Sequence, residues 1–342
     1  MVNEEYVYRD PAGRWIVRPY RPGDEYHILD LFRRVFHLDP SLDHWRWKFQ
    51  SNPAGRYWIR LAETPSGELV GQYAVLPVRM AWEERTIVFI QVVDIMVDPR
   101  FRLGLKRPGL FSVLANRSIV DFGGHDKASV GYGFPTREAL RIGKRVAGYT
   151  SLHPVVCLVR DFGQGKSGHS RLAAWLYRVQ TVERFGQEIN CLWDKVRSEL
   201  PVAIIRDAQY LNWRYADCPD VRYTMLAASH RLTGTLAGVA ILRMGVRGEP
   251  VAALVDWLVS RLVTGAALAL LSRCQAIARQ AGMEQLQAWF PPYSFPYRLF
   301  QELGFRPCAT MYELVALPLV PGLSLDWIKE RWYYTMGDSD IY

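Results

Sequence analysis

The sequence predicts a mixed α/β protein made of two similar domains, each a twisted mixed sheet flanked by helices. Strand-like and helix-like segments alternate along the chain, and the same order of segments occurs twice. The length of 342 residues also agrees with two domains.

Marker residues of the repeat keep their order while their spacing drifts through small insertions. Trp47-Lys48-Phe49 in the first half matches Trp213-Arg214-Tyr215 in the second. The other matches are Pro53 with Pro219, Arg56-Tyr57 with Arg222-Tyr223, Gly67 to Gly71 with Gly234 to Gly238, Asp94 with Asp256, Phe134-Pro135 with Phe290-Pro291, and Gly148-Tyr149 with Gly304-Phe305. The period of roughly 160 residues is domain-sized and exceeds that of solenoid repeats, so it indicates a duplicated domain.

Local patterns predict each element of the first half. Residues 14–20 alternate like a strand, and Asp24 follows Pro22-Gly23 as a helix N-cap would. Next, in order, we predict a helix to Phe36, a short helix at 43–50, a hairpin of 57–63 and 69–79, a strand at 86–97, a helix at 109–122 led by Pro108, a strand at 129–132, a helix at 136–146 with Gly148 as its C′ residue, and a strand at 155–159.

The second half repeats this order. We predict a strand at 177–183, a helix at 187–197, a short helix at 210–215, a hairpin over 223–243, a strand at 251–259, a helix at 264–281, a strand at 285–289, a helix at 295–303 and a strand at 311–317. The predicted domains are therefore 1–160 and 171–317. A polar, Gly-rich linker at 161–170 joins them, and an aromatic tail at 318–342 is expected to pack on a domain.

Composition narrows the class of protein. Hydrophobic residues make up 49% and aromatic residues 13% of the chain, which is enough for two packed cores. The chain contains no long uninterrupted apolar run and no signal-peptide pattern at its N-terminus, so we expect no membrane insertion. Five scattered cysteines without a CxxC motif suit reduced thiols and a cytoplasmic location.

The net charge of +8 raises the question of a nucleic-acid partner, which would need the charge gathered in one stripe. One short basic cluster stands out at Arg100, Arg102, Lys106 and Arg107. It is either a solvated loop or a seat for a phosphate-bearing small molecule. We expect no nucleic-acid partner.

Two other site types are set aside. Gly163 to Ser167 suggests a phosphate-binding P-loop, but Arg160 stands where that motif needs its first glycine. The seven histidines show no paired ligand spacing, so no metal site is predicted.

Each half resembles a GNAT-superfamily acyltransferase domain, and together residues 14–317 resemble the tandem-GNAT proteins. The resemblance is carried by Trp15 to Asp24, by Val93-Asp94-Ile95-Met96-Val97-Asp98-Pro99, by Pro108 to Phe111, and by Gly131 to Pro135 followed by a helix and Gly148-Tyr149. It implies two GNAT-like domains and an acyl-coenzyme A-dependent N-acyltransferase.

The resemblance also implies that the cofactor is acetyl-CoA or another acyl-CoA. It would lie along the strand at 91–97. A helix N-terminus after a Gly-bearing basic loop offers N–H groups and a positive dipole end to phosphates. The implied cofactor-binding residues are Ile95, Met96, Val97, Arg102, Gly104, Lys106, Arg107, Pro108, Gly109 and Leu110. The loop of the first half is a stretched version of the family's, and Ser260 to Ala266 retains only one Gly and one Arg. If only one half binds coenzyme A, the first is favoured.

The implied catalytic residues are less conventional. Lys144 and Phe300 occupy the positions where many family members place a Tyr general acid, so Tyr149 is the candidate, with Tyr132 and Tyr297 also near. Each of these tyrosines could equally be a packing residue.

Asp94, on the acyl-lining strand, is the candidate general base. Because Asp256 duplicates it, a structural role for both aspartates is the competing interpretation. No metal is expected.

The predicted function is transfer of an acyl group, acetyl above all, to a primary amine of a small molecule, an amino sugar or a peptide. The alternative is a catalytically inactive GNAT-fold protein that serves as a binding partner or scaffold.

Overall fold

A computed structural model describes residues 5–11, 13–103, 109–163 and 174–342, and it forms two compact units. Unit 1 comprises residues 1–79, 87–153 and 312–325, and unit 2 comprises 80–86, 154–311 and 326–342. Residues 154–160 therefore belong to unit 2 and residues 312–317 to unit 1, whereas the predicted boundaries assign both segments the other way. Most of the predicted linker lies outside the described residues.

Unit 1 is built on a mixed sheet with the strand order β1-β2-β3-β4-β5-β6-β14. Its strands are β1 (Tyr6–Asp10), β2 (Gly13–Pro19), β3 (Ile59–Glu63), β4 (Leu69–Trp82), β5 (Arg85–Val97), β6 (Val130–Gly133) and the end of β14 (Arg306–Pro318). Its helices are α1 (Asp24–Phe36), α2 (Leu42–Trp45), α3 (Leu110–Phe122) and α4 (Arg137–Ala147), with a π-helical turn at Arg46–Gln50. This order confirms the mixed α/β prediction.

Unit 2 repeats the plan with the strand order β7-β13-β12-β11-β10-β8. Its strands are β7 (Thr150–Asp161), β8 (Tyr177–Val182), β9 (Val202–Ile204), β10 (Tyr223–His230), β11 (Leu236–Met244), β12 (Val251–Val259) and β13 (Gln285–Trp289), and β9 pairs with the end of β4. Its helices are α5 (Glu188–Val196), α6 (Ala208–Leu211), α7 (Thr264–Gln280), α8 (Phe295–Glu302) and α9 (Leu325–Lys329), with a π-helical turn at Asn212–Ala216. The second copies of the helix pair, hairpin and parallel strands lie where the repeat predicts them.

Two apolar clusters cover the two faces of the unit 1 sheet. The first packs Tyr73, Leu110 and Leu114, so it joins α3 to the sheet. The second packs Ile28 and Trp45 and joins α1 and α2 to the other face. Because both faces of the sheet are covered, β4 is buried along nearly its whole length.

Asp24 differs from its predicted role as an N-cap. Gly23 is the N-cap of α1, and Asp24 is the first helical residue. Its carboxylate lies 2.7 Å from Arg18 and accepts a hydrogen bond from the Arg21 backbone N–H. The Asp24 carboxylate therefore binds the buried Arg18 of β2 and does not cap the first turn of α1.

Acid should weaken this contact. Burial alone would raise the pKa of Asp24, but the hydrogen bonds from Arg18 and the Arg21 backbone outweigh it and lower that pKa below the ordinary 3.8. The contribution to stability is therefore present above pH 3.8 and is lost as the pH falls through the lowered folded-state pKa. We expect Asp24→Asn to lower the free energy of unfolding at pH 7 by about 1–3 kcal/mol, and the gap to the wild type to shrink in acid. Urea unfolding across pH measures this. Asp39→Asn, at a 78% exposed side chain, serves as the control, and a gap that stays constant with pH would contradict the assignment.

Candidate active site

The two parallel strands at the centre of unit 1 pair over a short stretch and then separate. The β5–β6 pairing joins Phe89, Ile90 and Gln91 to Val130, Gly131 and Tyr132. β5 itself continues to Val97. Backbone groups of residues 92–97 on the β6 side are therefore outside this ladder and border a gap between the strands.

Asp94 marks the separation with an unusual backbone. Its φ is +46°, a left-handed value that a non-glycine residue adopts at a cost. Its carbonyl oxygen accepts a hydrogen bond from Gln72 Nε2 on β4 at 3.0 Å. Strained backbone of this kind is concentrated at functional sites, and here it lies at the predicted general base.

The Asp94 carboxylate forms an ion pair with Lys48, which lies in the π-helical turn after α2. Lys48 Nζ is 2.9 Å from both carboxylate oxygens. The two side chains are only 10% and 16% exposed, so the pair is largely desolvated. Gln72 lies beside it, fully buried, and its Oε1 has no hydrogen-bond partner among the described residues. Lys48 and Gln72 were not predicted as site residues, although the match of Lys48 to Arg214 in the repeat was a signal.

Tyr149, the predicted general acid, follows α4 and forms a separate contact. Its hydroxyl is 2.8 Å from the Tyr73 hydroxyl. Gly143 in α4 leaves room for its ring, because a Cβ there would overlap Tyr149. Gly148 ends α4 with a φ of +73°, as its predicted role requires.

Burial keeps both tyrosines protonated. It raises the pKa of Tyr149, with the Tyr73 hydrogen bond opposing that shift. Burial also raises the pKa of Tyr73 well above its ordinary value. Asp94 binds Lys48, whereas Tyr149 binds Tyr73. The two predicted catalytic side chains therefore do not share a hydrogen-bond partner among these contacts.

The predicted cofactor residues lie along β5 and at the start of α3. Ile95 and Val97 pack with the first apolar cluster, whereas Met96 points into the second, so Met96 offers only backbone groups to the gap. Arg102 is exposed, and its Nε donates to the Val97 carbonyl oxygen at 2.8 Å. Gly104, Lys106, Arg107 and Pro108 lie outside the described residues.

The N-terminus of α3 suits a phosphate group. Gly109 is the N-cap residue, and no side-chain cap hydrogen bond is present there. The Leu110 side chain is buried against Gly71, so Leu110 can contribute only its backbone N–H. A helix end of this kind presents N–H donors and a positive dipole to an anion.

The equivalent place in unit 2 is filled by the chain itself. The Asp256 carboxylate accepts hydrogen bonds from Arg206 and from the Tyr215 hydroxyl, both at 2.8 Å. Arg206 is fully buried and also holds Asp338 at 2.9 Å. The hydroxyl of Thr335 reaches Asp256 at 3.3 Å. Asp256 is therefore a buried structural carboxylate.

Residues 333–339, the tail segment, cover this place. Arg214, the counterpart of Lys48, donates to the carbonyl oxygens of Gly337 at 3.3 Å and Ser339 at 3.2 Å. The Tyr333 hydroxyl donates to the Trp257 carbonyl oxygen on β12 at 2.6 Å. A Cβ at Gly337 would overlap Tyr215 and lie 2.9 Å from the Val255 carbonyl oxygen, so this close approach requires glycine.

A small cavity remains beside the tail segment in unit 2. Its volume is about 230 Å³, and its lining includes Val259 at the end of β12, Phe295 at the start of α8, and Tyr333. β12 and β13 pair only from Val251 to Leu254 and from Gln285 to Ala288, so the cavity lies where these strands have separated. Unit 2 thus shares with unit 1 a pair of parallel strands that are paired over a short stretch only.

Other site types find no support in the part of the chain that the structure describes. No group of three His, Cys, Asp or Glu side chains there could hold a metal ion. No described helix combines the length and apolarity that crossing a bilayer requires.

Comparisons with known proteins bear on the fold. Residues 16–141 match the family model of the acetyltransferase (GNAT) domain. No curated protein has a significantly similar sequence.

Solved structures share the fold at low sequence identity. A probable N-acyltransferase from Enterococcus faecalis has a TM-score of 0.66 at 12% identity, with 89% of this chain and 73% of that chain covered. A GCN5-related N-acetyltransferase from Anabaena variabilis also has a TM-score of 0.66 at 12% identity, over 90% and 73%. A tandem GNAT protein from the clavulanic acid biosynthesis pathway, solved without acetyl-CoA, has a TM-score of 0.53 at 14% identity, over 90% and 100%. Residues 16–141 therefore match a GNAT acetyltransferase domain, and the chain as a whole shares the fold of solved GNAT N-acetyltransferases, a tandem GNAT protein among them.

Proposed function

We propose that this chain is an N-acyltransferase that uses acyl-CoA, acetyl-CoA above all, to acylate a primary amine, and that unit 1 carries the reaction. The observation that carries the proposal is the separation of β5 from β6 beside Asp94. The gap brings exposed backbone groups, an acidic side chain and the N-terminus of α3 into one domain.

The residues present fit an acyl-CoA. Backbone groups of Ile95 to Val97 would hold its pantetheine arm, and the N-terminus of α3 at Gly109 would hold its phosphates. Arg102 would add a charge-assisted bond, and Gly104, Lys106, Arg107 and Pro108 are proposed to complete that loop. When bound, acyl-CoA supplies an acyl group activated as a thioester.

Two side chains of unit 1 would accept and donate the protons of the reaction. Asp94 would take a proton from the ammonium of the acceptor, because it is a carboxylate on the strand that borders the gap. Tyr149 would donate a proton to the leaving sulfur, since its phenol stays neutral at the pH of the reaction. Much of the acceleration would come from positioning the amine and the thioester together.

Unit 2 is proposed to be non-catalytic. Its aspartate is engaged by Arg206, Tyr215 and Thr335, and its tail segment covers the place where an acceptor would lie. Its contribution would be structural.

The proposed function predicts binding and turnover. Acetyl-CoA should raise the melting temperature of the full chain, because a ligand at about 100 times its Kd adds about 2.7 kcal/mol to the stability of the native state. Thiol release should occur with at least one class of primary amine. Asp94→Asn should keep the melting shift and lower kcat by about a hundredfold, and Asp39→Asn is the matched control. A chain that binds no acyl-CoA, or that binds it and releases no thiol with any amine, would instead support the inactive scaffold.

The Tyr149→Phe substitution tests whether Tyr149 donates a proton or serves only in packing. We expect kcat to fall by about tenfold or more with a small change in melting temperature, because only the hydroxyl is removed. Tyr26→Phe, at a 56% exposed side chain, is the control. A lower melting temperature with unchanged kcat would assign Tyr149 to packing alone.

Arg206→Met tests the role of unit 2. Removing this cation leaves Asp256 and Asp338 buried without it, so we expect a loss of about 3–5 kcal/mol in stability. Below the new melting temperature, kcat per folded molecule should match that of the wild type. The exposed Arg222→Met is the control, and a loss of kcat as large as that of Asp94→Asn would show that unit 2 takes part in the reaction.

A further inference from the structure

We propose that the acceptor of unit 1 is an amino acid, whose carboxylate binds Lys48 while its amino group binds Asp94. The inference rests on the proposed function and names the substrate class of the same site. Lys48 is then a specificity-determining residue.

Charge balance in a desolvated site is the first support. Lys48 and Asp94 neutralise each other at 10% and 16% exposure. An amine that took Asp94 for itself would leave the Lys48 ammonium without its counter-ion, and an unpaired buried charge is strongly unfavourable. A zwitterion brings one charge of each sign. It exchanges the Lys48–Asp94 pair for two new pairs, and the net charge of the site is unchanged.

Unit 2 provides a template for such a bridging ligand. There the carboxylate and the cation at the matching positions, Asp256 and Arg214, both bind the tail segment. The Thr335 hydroxyl donates to Asp256, and Arg214 donates to the Gly337 carbonyl oxygen. In unit 2 the aspartate thus accepts from a donor of the tail segment, and the arginine donates to an oxygen of the same segment. An amino acid would do the same in unit 1, because its ammonium would donate to Asp94 and its carboxylate would accept from Lys48.

Gln72 supplies the third contact. Its Nε2 is engaged by the Asp94 carbonyl oxygen, so its Oε1 is the group left to accept. That oxygen is fully buried and unpartnered among the described residues. The matching residue of unit 2, whose site is filled, is the apolar Val239. An ammonium has three N–H donors, so it can satisfy Asp94 and Gln72 together.

Binding measured without any acyl donor tests the inference separately from the reaction. Calorimetric titration of the full chain would use matched sets built on alanine, leucine, phenylalanine and lysine. Each set contains the L-amino acid, its amide and the decarboxylated amine. In at least one set, the acid should bind about ten- to a hundredfold more tightly than the amide and the amine, because a charge-assisted bond is lost in each of them.

Variants at position 48 assign the effect. Lys48→Met should remove the preference for the acid, because the amine then no longer leaves a buried ammonium unpaired and should bind at least as tightly as it binds the wild type. Lys48→Arg should restore the preference because the charge returns. Lys195→Met, at an exposed lysine of α5, is the control. Melting temperatures of all variants verify that each one is folded.

Three outcomes would overturn the inference. They are equal binding of acid, amide and amine in every set, no binding of any amino acid, and a preference for the acid that survives in folded Lys48→Met. Thiol release is scored separately. A chain that prefers the acid but never transfers an acyl group would refute the proposed function and leave Lys48 as a carboxylate-binding residue.

Discussion

The ion pair between Lys48 and Asp94 is the contact around which unit 1 is organised. It links the π-helical turn after α2 to the middle of β5, at the residue whose backbone is turned to a φ of +46°. Gln72 holds the carbonyl of the same residue. Three elements thus fix one strained residue, which accounts for its persistence. Because β5 and β6 separate beside it, the same contact places a charged pair next to the gap that we propose for the cofactor arm.

The two units show what one scaffold does with and without that contact. In unit 1 the acid and the cation bind each other and leave a polar site. In unit 2 Arg206 replaces the cation at the acid, and Arg214 turns to the carbonyl oxygens of the tail segment. Arg206 and the tail segment together fill in unit 2 the place beside the aspartate. Under the proposed function, one copy of the duplicated domain serves packing while the other carries the chemistry.

The sequence predicts the skeleton well because the skeleton follows local patterns. β12 and β13 lie at the strands predicted for 251–259 and 285–289, and Gly148 ends α4 as a left-handed residue. The resemblance makes Asp94 a candidate because it is an acidic residue on the acyl-lining strand, whereas the repeat favours a structural role for it. The sequence does not predict the partners of Asp94, because Lys48 and Gln72 are far from it in the chain and reach it only through tertiary packing. The sequence also does not predict the contacts of the tail segment. Its aromatic residues indicate that the tail packs on a domain, but they do not indicate that Gly337 and Asp338 take part in a buried network of charged groups.

The exchange of end strands between the units has a consequence for biosynthesis. Val315 to Pro318 of β14 pair with β6 in unit 1, while residues 157–161 of β7 pair with β13 in unit 2. The sheet of unit 1 therefore gains its last strand only after residues 315–318 have left the ribosome. The N-terminal unit cannot be completed first, as it would be in a chain of two independent modules. Contacts of such long sequence separation also slow folding, so the nascent chain holds an unfinished sheet edge at β6 until β14 has been synthesised.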